Sequence, residues 1–278
     1  MTVGEGDSAH AHRAPWRELP DGPFRLEVDD LVVFGRKEGS GPLLILQNGM
    51  WIDTFESLLL PFFKALTSHF TVLTFDPRGQ GRTSLGRGQI SYARFAADTV
   101  RLMDKLGIEA AHFIGHSDGG CIQLNLMLDF PERVRSATLV GTPHDHAAYT
   151  EGGTAMMNAW YEEMTRGEET SIAAGLANYE ATYSQISPEP GRLRETVVGR
   201  RNCWATEPNI SVRQLGRIQR PVLVVVAGKD EFIRPEGFDN LVRSIPSART
   251  VTFADMTHTL TPHVDEIAIA TADFVASL

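Results

Sequence analysis

The sequence of 278 residues contains only two cysteines, Cys121 and Cys203, and their spacing does not match a metal site. We expect both to be buried free thiols, as is usual in a reducing compartment. Apolar runs are also short: none reaches the length of a membrane span, and residues 1–19 lack the apolar core of a signal peptide. These absences predict a cytoplasmic protein.

Basic charge is the second feature that the sequence has little of. The 26 Lys and Arg residues are outnumbered by 35 Asp and Glu residues, and the net charge is −9. Since no basic run or stripe is present, neither nucleic acid nor an anionic membrane surface is expected as a partner. The hydrophobic fraction of 42% is ordinary for a globular protein. The length allows one large domain with an insertion.

Strand and helix patterns alternate along most of the chain. Residues 1–20 are polar and aperiodic, which predicts a flexible arm. The predicted strands beyond it are Phe24–Val28, Leu31–Gly35, Pro42–Leu46, Phe70–Phe75, a run that starts at Ala111, Val134–Val140, Pro221–Val226 and Arg249–Phe253. The first two form a hairpin, and helical patterns separate most of the others. This order predicts an α/β fold with a mostly parallel eight-stranded sheet and helices on both of its faces.

The segment 144–215 has a different character, because it contains no run typical of a buried strand. Helical patterns cover Ala155–Met164 and Ser171–Tyr183. We therefore predict an inserted helical cap, which divides the core into residues 21–143 and 216–278.

Aromatic and methionine side chains are concentrated in this predicted cap. Soft and adaptable side chains of this kind suit the roof of an apolar pocket. The candidate contacts to a hydrophobic substrate are Met156, Trp160 and Tyr183 of the cap, together with Trp51 from the turn after the third strand.

A Gly-x-Ser-x-Gly motif stands where the fifth strand meets a helical pattern. Ser117 is its centre, and Gly115 and Gly119 flank it. This motif is typical of a nucleophile elbow, a sharp strand-to-helix turn that exposes a serine hydroxyl above the sheet. The helix that starts after Ser117 directs its N–H groups and its positive dipole end toward the position of a developing oxyanion.

A serine nucleophile needs a base and a residue that orients the base, and both candidates follow predicted strands. Asp230 lies just after the apolar run Val222–Ala227, and His258 lies just after the next strand. Because the carboxyl ends of parallel strands share one edge of the sheet, Ser117, Asp230 and His258 are expected to converge there.

From about Phe24 to Leu278 the chain resembles the α/β-hydrolase fold superfamily. The resemblance rests on the Gly115–Gly119 motif, the Asp76–Ser84 loop, Gly228-Lys229-Asp230 and His258. It implies a serine hydrolase with Ser117 as nucleophile, His258 as general base and then acid, and Asp230 as the orienting carboxylate.

The resemblance also implies an oxyanion hole made by two backbone N–H groups. These would be the N–H groups of Asp118 and Met50. One departure is Asn48, which stands where many members have histidine, and some lactone-opening members are similar in having asparagine in this turn. The serine nucleophile differs from the aspartate of the epoxide- and haloalkane-opening branches.

Other polar residues offer alternatives to these assignments. Asp145 follows the sixth strand, where a minority of the family places its acid, and Asp255 lies close to His258 in sequence. We interpret His116 as a hydrogen-bonded neighbour of the serine and not as a second base.

Two further interpretations concern ions. A metal site formed by His144, Asp145 and His146 is less favoured than a loop without function, so no metal or other cofactor is predicted. Arg78 fits a salt bridge within its own loop better than an anionic substrate.

The predicted activity is hydrolysis of a carboxylic ester, lactone or thioester of a hydrophobic small molecule through an acyl-enzyme. The first alternative is a non-hydrolytic or carbon–carbon bond-cleaving enzyme with the same machinery, and the second is a ligand-binding protein without catalysis. The expected partner is a small-molecule substrate, and the sequence leaves a homodimer open.

Overall fold

The computed structural model describes residues 15–47, 49, 59–166, 180–260 and 262–278, with residues 163–166 described by their backbone alone. Eight strands form one sheet in the order β1-β2-β4-β3-β5-β6-β7-β8. Strand β2 runs antiparallel to both of its neighbours, β1 and β4; the pairs from β4 through β3 to β8 are all parallel. The strands are β1 (Gly22–Val28), β2 (Leu31–Glu38), β3 (Leu43–Gln47), β4 (Thr71–Phe75), β5 (Ala111–His116), β6 (Val134–Val140), β7 (Val222–Ala227) and β8 (Ala248–Phe253). The predicted α/β fold with a mostly parallel eight-stranded sheet is confirmed.

The sheet begins with the predicted hairpin. Val28 pairs with Leu31 across the turn, and Asp29 adopts a positive φ of 52°, which aspartate tolerates better than most residues. Along β2 buried side chains alternate with partly exposed ones, whereas every residue of β4 is buried. The continuous apolar runs of the sequence are therefore parallel strands covered on both faces.

Helices cover the sheet and connect its parallel strands. The described helices are α1 (Leu60–Thr67), α2 (Tyr92–Lys105), α3 (Asp118–Asp129), α4 (Glu151–Arg166), α5 (Leu193–Thr206), α6 (Val212–Leu215), α7 (Pro235–Ser244) and α8 (Val264–Ala276), and residues 180–186 are also helical. Helix α1 packs against α8, and α2 packs against α3. None of the helices in the described part of the chain combines the length and hydropathy that crossing a membrane requires.

Between β6 and β7 the described residues form helices and turns without a strand of the sheet. Helix α4 contains the predicted piece Ala155–Met164, and residues 180–186 overlap the end of the predicted piece Ser171–Tyr183. Helix α5 was not predicted. The division into an arm, a core and a cap stays a prediction.

Both cysteines are free and buried, as predicted. Burial raises the pKa of the Cys121 thiol and that of the Cys203 thiol. Neither side chain is therefore activated as a thiolate nucleophile.

Candidate active site

Ser117 lies in the sharp turn between β5 and α3. Its backbone has a φ of 55° and a ψ of −120°, a strained conformation for a residue with a side chain. The surrounding structure holds this turn, because the Ser117 N–H donates to the carbonyl of Val140 on β6 at 2.8 Å and the Ser117 carbonyl accepts from the N–H of Gly120 at 2.9 Å. The predicted elbow geometry is thus present at Ser117.

Glycines make room for the tight turn. A Cβ atom added to Gly115 would lie 2.5 Å from the carbonyl carbon of Gly119 and 2.7 Å from the Gln123 side-chain nitrogen. A Cβ atom on Gly120 would lie only 1.9 Å from Oγ1 of Thr142, so this third glycine is required as well. The sequence motif contains the first two glycines but not Gly120.

The structure brings together the three residues proposed for catalysis. Nε2 of His258 lies 3.0 Å from Oγ of Ser117. Nδ1 of the same ring lies 3.1 and 3.0 Å from the two carboxylate oxygens of Asp230. The Asp230 side chain is only 1% exposed, and that of His258 is 14% exposed. Serine, histidine and carboxylate therefore form a continuous hydrogen-bonded chain with its serine end at the elbow.

Backbone groups fix the Asp230 carboxylate in place. Its Oδ1 accepts hydrogen bonds from the N–H groups of Phe232 at 2.9 Å and Ile233 at 2.8 Å. These bonds hold the carboxylate so that it faces the histidine ring. Because both carboxylate oxygens lie at Nδ1, they favour the tautomer of His258 that carries its proton on Nδ1, which leaves Nε2 free to accept the proton of Ser117.

Two side chains hold the backbone of His258. The carboxylate of Glu231 accepts from the His258 N–H at 2.9 Å, and Nε2 of His116 lies 2.8 Å from the His258 carbonyl oxygen. The pKa of His116 is lowered to about 3. Burial is the main cause, and repulsion from a protonated His258 is the second. His116 is therefore neutral and donates to this carbonyl, in agreement with its interpretation as a hydrogen-bonded neighbour. Glu231 was not predicted, and no motif in the sequence distinguishes it.

The candidate oxyanion donors lie at the start of α3 and in the turn after β3. Asp118 is the first residue of α3, and its carboxylate accepts a hydrogen bond from the phenol of Tyr92. The turn after β3 lies against the elbow, since a Cβ atom on Gly49 would be 3.3 Å from Cβ of Asp118. Met50 and Trp51, the other residues predicted in this turn, lie outside the described residues, as does Asn48.

The alternative acids serve other contacts. Asp145 accepts the N–H of Ala147 at 2.7 Å and caps a short 3₁₀ turn. Asp255 is 70% exposed and lies 3.2 Å from Nε2 of His263, the residue that precedes α8. Asp230 is thus the carboxylate that contacts His258.

The two histidines at positions 144 and 146 contact different parts of the structure and do not form a common site with Asp145. Nδ1 of His144 bonds to the carbonyl of Ile210 at 2.7 Å, whereas the His146 ring packs against Tyr149 and Trp204. In the part of the chain that the structure describes, no three His, Cys, Asp or Glu side chains are grouped as metal ligands.

Arg78 forms a salt bridge, as predicted, but its partner lies outside the loop. Its side chain is fully buried and pairs with Asp98 of α2, with Nε–Oδ2 and Nη2–Oδ1 distances of 2.6 and 3.0 Å. The ion pair therefore ties the loop to a helix and does not stay within the loop, because Asp98 faces the loop from the buried side of α2.

The predicted substrate contacts of the 144–215 segment lie in three different environments. Met156 on α4 is 52% exposed. Met157 and Trp160 pack against the hydrophobic core from the other face of the same helix. Tyr183 is buried, and its hydroxyl lies 3.4 Å from Oγ1 of Thr196 on α5. A role of Met156, Trp160 and Tyr183 in substrate binding stays a prediction.

The sequence and the fold are similar to those of known hydrolases. A family model described as the alpha/beta hydrolase fold matches residues 42–176. A protein from Agrobacterium fabrum, provisionally named carbamate hydrolase RutD, is 28% identical in an alignment of 229 positions that covers 73% of this chain and 80% of that protein. A hydrolase of known structure from Pseudomonas aeruginosa is 26% identical, with a TM-score of 0.69 over 91% of this chain and 98% of that chain. The enol-lactonase from Burkholderia xenovorans is 22% identical, with a TM-score of 0.70 over 91% and 99% of the two chains. The chain belongs to the α/β-hydrolase superfamily and is a hydrolase of the α/β fold.

Proposed function

We propose that this protein is a serine hydrolase that cleaves a carboxylic ester, lactone or thioester of a hydrophobic small molecule through an acyl-enzyme. The observation that carries the proposal is the 3.0 Å separation of Ser117 Oγ and His258 Nε2, together with the Asp230 carboxylate at Nδ1 of the same ring. A hydroxyl becomes an effective nucleophile only beside an oriented base of this kind.

In the first half of the reaction, His258 Nε2 takes the hydroxyl proton while Ser117 Oγ attacks the acyl carbon. The resulting oxyanion receives hydrogen bonds from the N–H of Asp118 and, by the family resemblance, from that of Met50. Each such donor commonly stabilises a transition state by about 3 kcal/mol. The protonated His258 then gives its proton to the leaving alkoxide or thiolate, and the C–O or C–S bond breaks to leave acylated Ser117.

In the second half, His258 removes a proton from water as the water oxygen attacks the acyl-enzyme. Collapse of the second tetrahedral intermediate returns the proton to Ser117 and releases a carboxylic acid. Asp230 keeps its charge throughout and stabilises the imidazolium that forms twice in each cycle. These steps involve only side chains, backbone N–H groups and water, so the proposed reaction needs no cofactor.

The names of similar proteins indicate which substrates should be tested. The names of two similar proteins, a carbamate hydrolase and an enol-lactonase, both denote compounds with an acyl carbon that a serine can attack. Carbamates therefore belong in a substrate screen beside esters, lactones and thioesters. A small hydrophobic substrate and a cytoplasmic location remain part of this proposal.

Turnover in ¹⁸O-labelled water tests the proposal. A panel of these acyl compounds is incubated with the wild-type protein, S117A and H258A, and the products are measured by mass spectrometry. We expect one labelled oxygen in the released acid and a loss of turnover by at least about 10³-fold in both variants. Product without label would support the non-hydrolytic alternative, and equal turnover in S117A would exclude the acyl-enzyme.

A further inference from the structure

Two arginine side chains are fully buried where the loop after β4 meets helix α5, and they differ in their partners. Arg78 is surrounded by acceptors: besides the Asp98 carboxylate, its Nη1 donates to the carbonyls of Leu85 at 2.8 Å and Arg87 at 2.9 Å. A buried guanidinium with a paired charge and satisfied donors is the usual arrangement in proteins.

Arg200 on α5 does not follow this arrangement. Its side chain is completely buried, and Nη2 donates to the carbonyl oxygen of Arg78 at 3.1 Å. Its Nε and Nη1 atoms have no hydrogen-bond partner in the described part of the chain. Among the described residues, no carboxylate forms an ion pair with it either. Burial of a charged group with so few compensating contacts is unfavourable and calls for an explanation.

The Arg200 guanidinium lies at the same edge of the sheet as the elbow, because it bonds to the loop that follows β4, and β4 runs parallel to β3 and β5. Its central carbon is 5.7 Å from the centre of the Phe95 ring on α2, and Tyr92, one turn earlier on that helix, donates to the Asp118 carboxylate beside Ser117. Burial lowers the pKa of Arg200, and the negative charge of Asp118 is one of the nearby groups that raise it. The unpartnered donors thus lie on the active edge of the sheet, within electrostatic reach of the residue after the nucleophile.

A second polar side chain in this region also lacks partners. Gln80 lies two residues after Arg78 in the same loop and is completely buried. Neither its amide nitrogen nor its amide oxygen has a hydrogen-bond partner in the described residues. The boundary between this loop and α5 therefore contains polar groups that no described residue satisfies, although apolar side chains of similar size would be more stable there.

We propose that Arg200 binds a carboxylate of the substrate, located away from the acyl carbon that Ser117 attacks. This inference rests on the proposed serine hydrolase function and narrows its substrate class to acyl compounds with an apolar body and a free carboxylate. A guanidinium is suited to this role, since its N–H groups form short charge-assisted hydrogen bonds with carboxylate oxygens. The carboxylate would supply both the counter-charge and the acceptors that Arg200 lacks.

Matched esters test the proposal through kcat/KM. 4-Nitrophenyl hemiadipate ends in a carboxylate, whereas 4-nitrophenyl heptanoate has a similar length without the charge. We expect the wild-type protein to prefer the hemiadipate, and Arg200→Met to lower the ratio of the two kcat/KM values by about 10- to 100-fold, as for loss of a hydrogen bond to a charged group. Arg201→Met makes the same chemical change at the next position of α5 and is expected to leave the ratio unchanged.

Arg200→Lys keeps the positive charge but lacks the planar guanidinium group. It keeps the test informative if Arg200→Met does not fold. We expect it to fold and to lower the ratio by a smaller factor. The absence of a preference in the wild-type protein, or equal ratios in Arg200→Met and Arg201→Met, would overturn the proposal even if Ser117-dependent hydrolysis of the heptanoate continues.

A binding measurement separates failure of this site from failure of the proposed function. Adipate is added to the wild-type protein, S117A, Arg201→Met and Arg200→Met, and the melting temperature is followed. We expect adipate to raise the melting temperature of all but the last, because ligand binding to the folded state stabilises it. If adipate stabilises the protein but neither these esters nor the acyl panel shows Ser117-dependent turnover, the carboxylate site is retained and the hydrolase is rejected. If adipate stabilises Arg200→Met equally, the site is rejected.

Discussion

At the scale of single residues, the candidate site depends on how firmly the charge and the proton positions are held. The Asp230 side chain is buried, receives two backbone hydrogen bonds and faces Nδ1 of His258. The position of Asp230 after a buried strand made this role predictable. The neighbour Glu231 and the buried Arg200 were not predictable, because nothing in a single sequence distinguishes a polar residue that faces the site from one that faces solvent.

The first prediction concerns the orientation of His258. In D230N the side chain keeps its size and an oxygen for the two backbone N–H groups, so the melting temperature is expected to stay near that of the wild-type protein. The amide no longer selects the proton on Nδ1, and kcat is expected to fall by about 10³- to 10⁴-fold. Steady-state kinetics on a responsive ester measures this effect.

D255N is the matched control, because Asp255 lies near His258 in sequence but is exposed and contacts His263. We expect its kcat to equal that of the wild-type protein. Equal losses in D230N and D255N would contradict the assignment of Asp230.

The second prediction concerns the protonation of His116 and protein stability. Its pKa is lowered from 6.5 to about 3 in the folded protein, so between these values the unfolded chain binds more protons at this residue. The resulting contribution to stability is complete above pH 6.5 and is lost as the pH falls toward 3. In H116Q this loss is absent, and the free energy of unfolding should decrease less on acidification, by on the order of 1 kcal/mol between pH 6.5 and 5.

Urea unfolding at a series of pH values measures this difference. H69Q is the control, since His69 is exposed, and its pH dependence should follow that of the wild-type protein. Parallel curves for the wild-type protein and H116Q would show that His116 is not held neutral by the fold.

At the scale of elements, apolar periodicity identified the strands but not every helix. The strands have continuous or alternating apolar patterns, and their predicted bounds agree with the structure to within a few residues. Helix α5 was missed because its buried side includes polar residues: Thr196 and Arg200 are as buried as Val197 and Trp204. A helix that buries polar groups has no clear apolar stripe, so the sequence does not reveal it.

The third prediction belongs to the β5–α3 turn. An alanine in the interior of a helix is usually favoured over glycine by about 1 kcal/mol. In G120A, however, the new methyl group would meet Oγ1 of Thr142 at 1.9 Å, and the overlap is expected to outweigh this gain. We expect a net destabilisation of about 1–3 kcal/mol, measured by urea unfolding.

G152A provides the comparison within α4. A Cβ atom on Gly152 would have nothing within 4 Å, so this variant should be as stable as the wild-type protein or slightly more stable. If G120A is no less stable than G152A, the result would contradict the close packing of Gly120 against Thr142.

At the scale of the whole molecule, the sheet topology assembles the site. Ser117 follows β5, Asp230 follows β7 and His258 follows β8, three parallel strands whose carboxyl ends lie on one edge. Residues 141 positions apart in the chain therefore meet at 3.0 Å. This convergence was predictable from the order of strands and helices alone, because parallel strands and short connections leave few other arrangements.

The helices between β6 and β7 were less predictable at this scale. The sequence does not specify which face of each helix packs against the core. In α4, Met157 packs against the core and Met156 is exposed. In the proposed function, substrate selection depends on this packing and on Arg200, so the reaction class follows from the sequence more directly than the substrate does.

The most direct test of the central claim is intact-mass spectrometry after treatment with a fluorophosphonate, whose phosphorus takes the place of the acyl carbon. We predict a single adduct on the wild-type protein, no adduct on S117A and labelling of H258A slowed by at least about 10²-fold, since Ser117 then lacks its base. An unlabelled wild-type protein that is folded, or an adduct that persists in S117A, would contradict the account of Ser117 as an activated nucleophile.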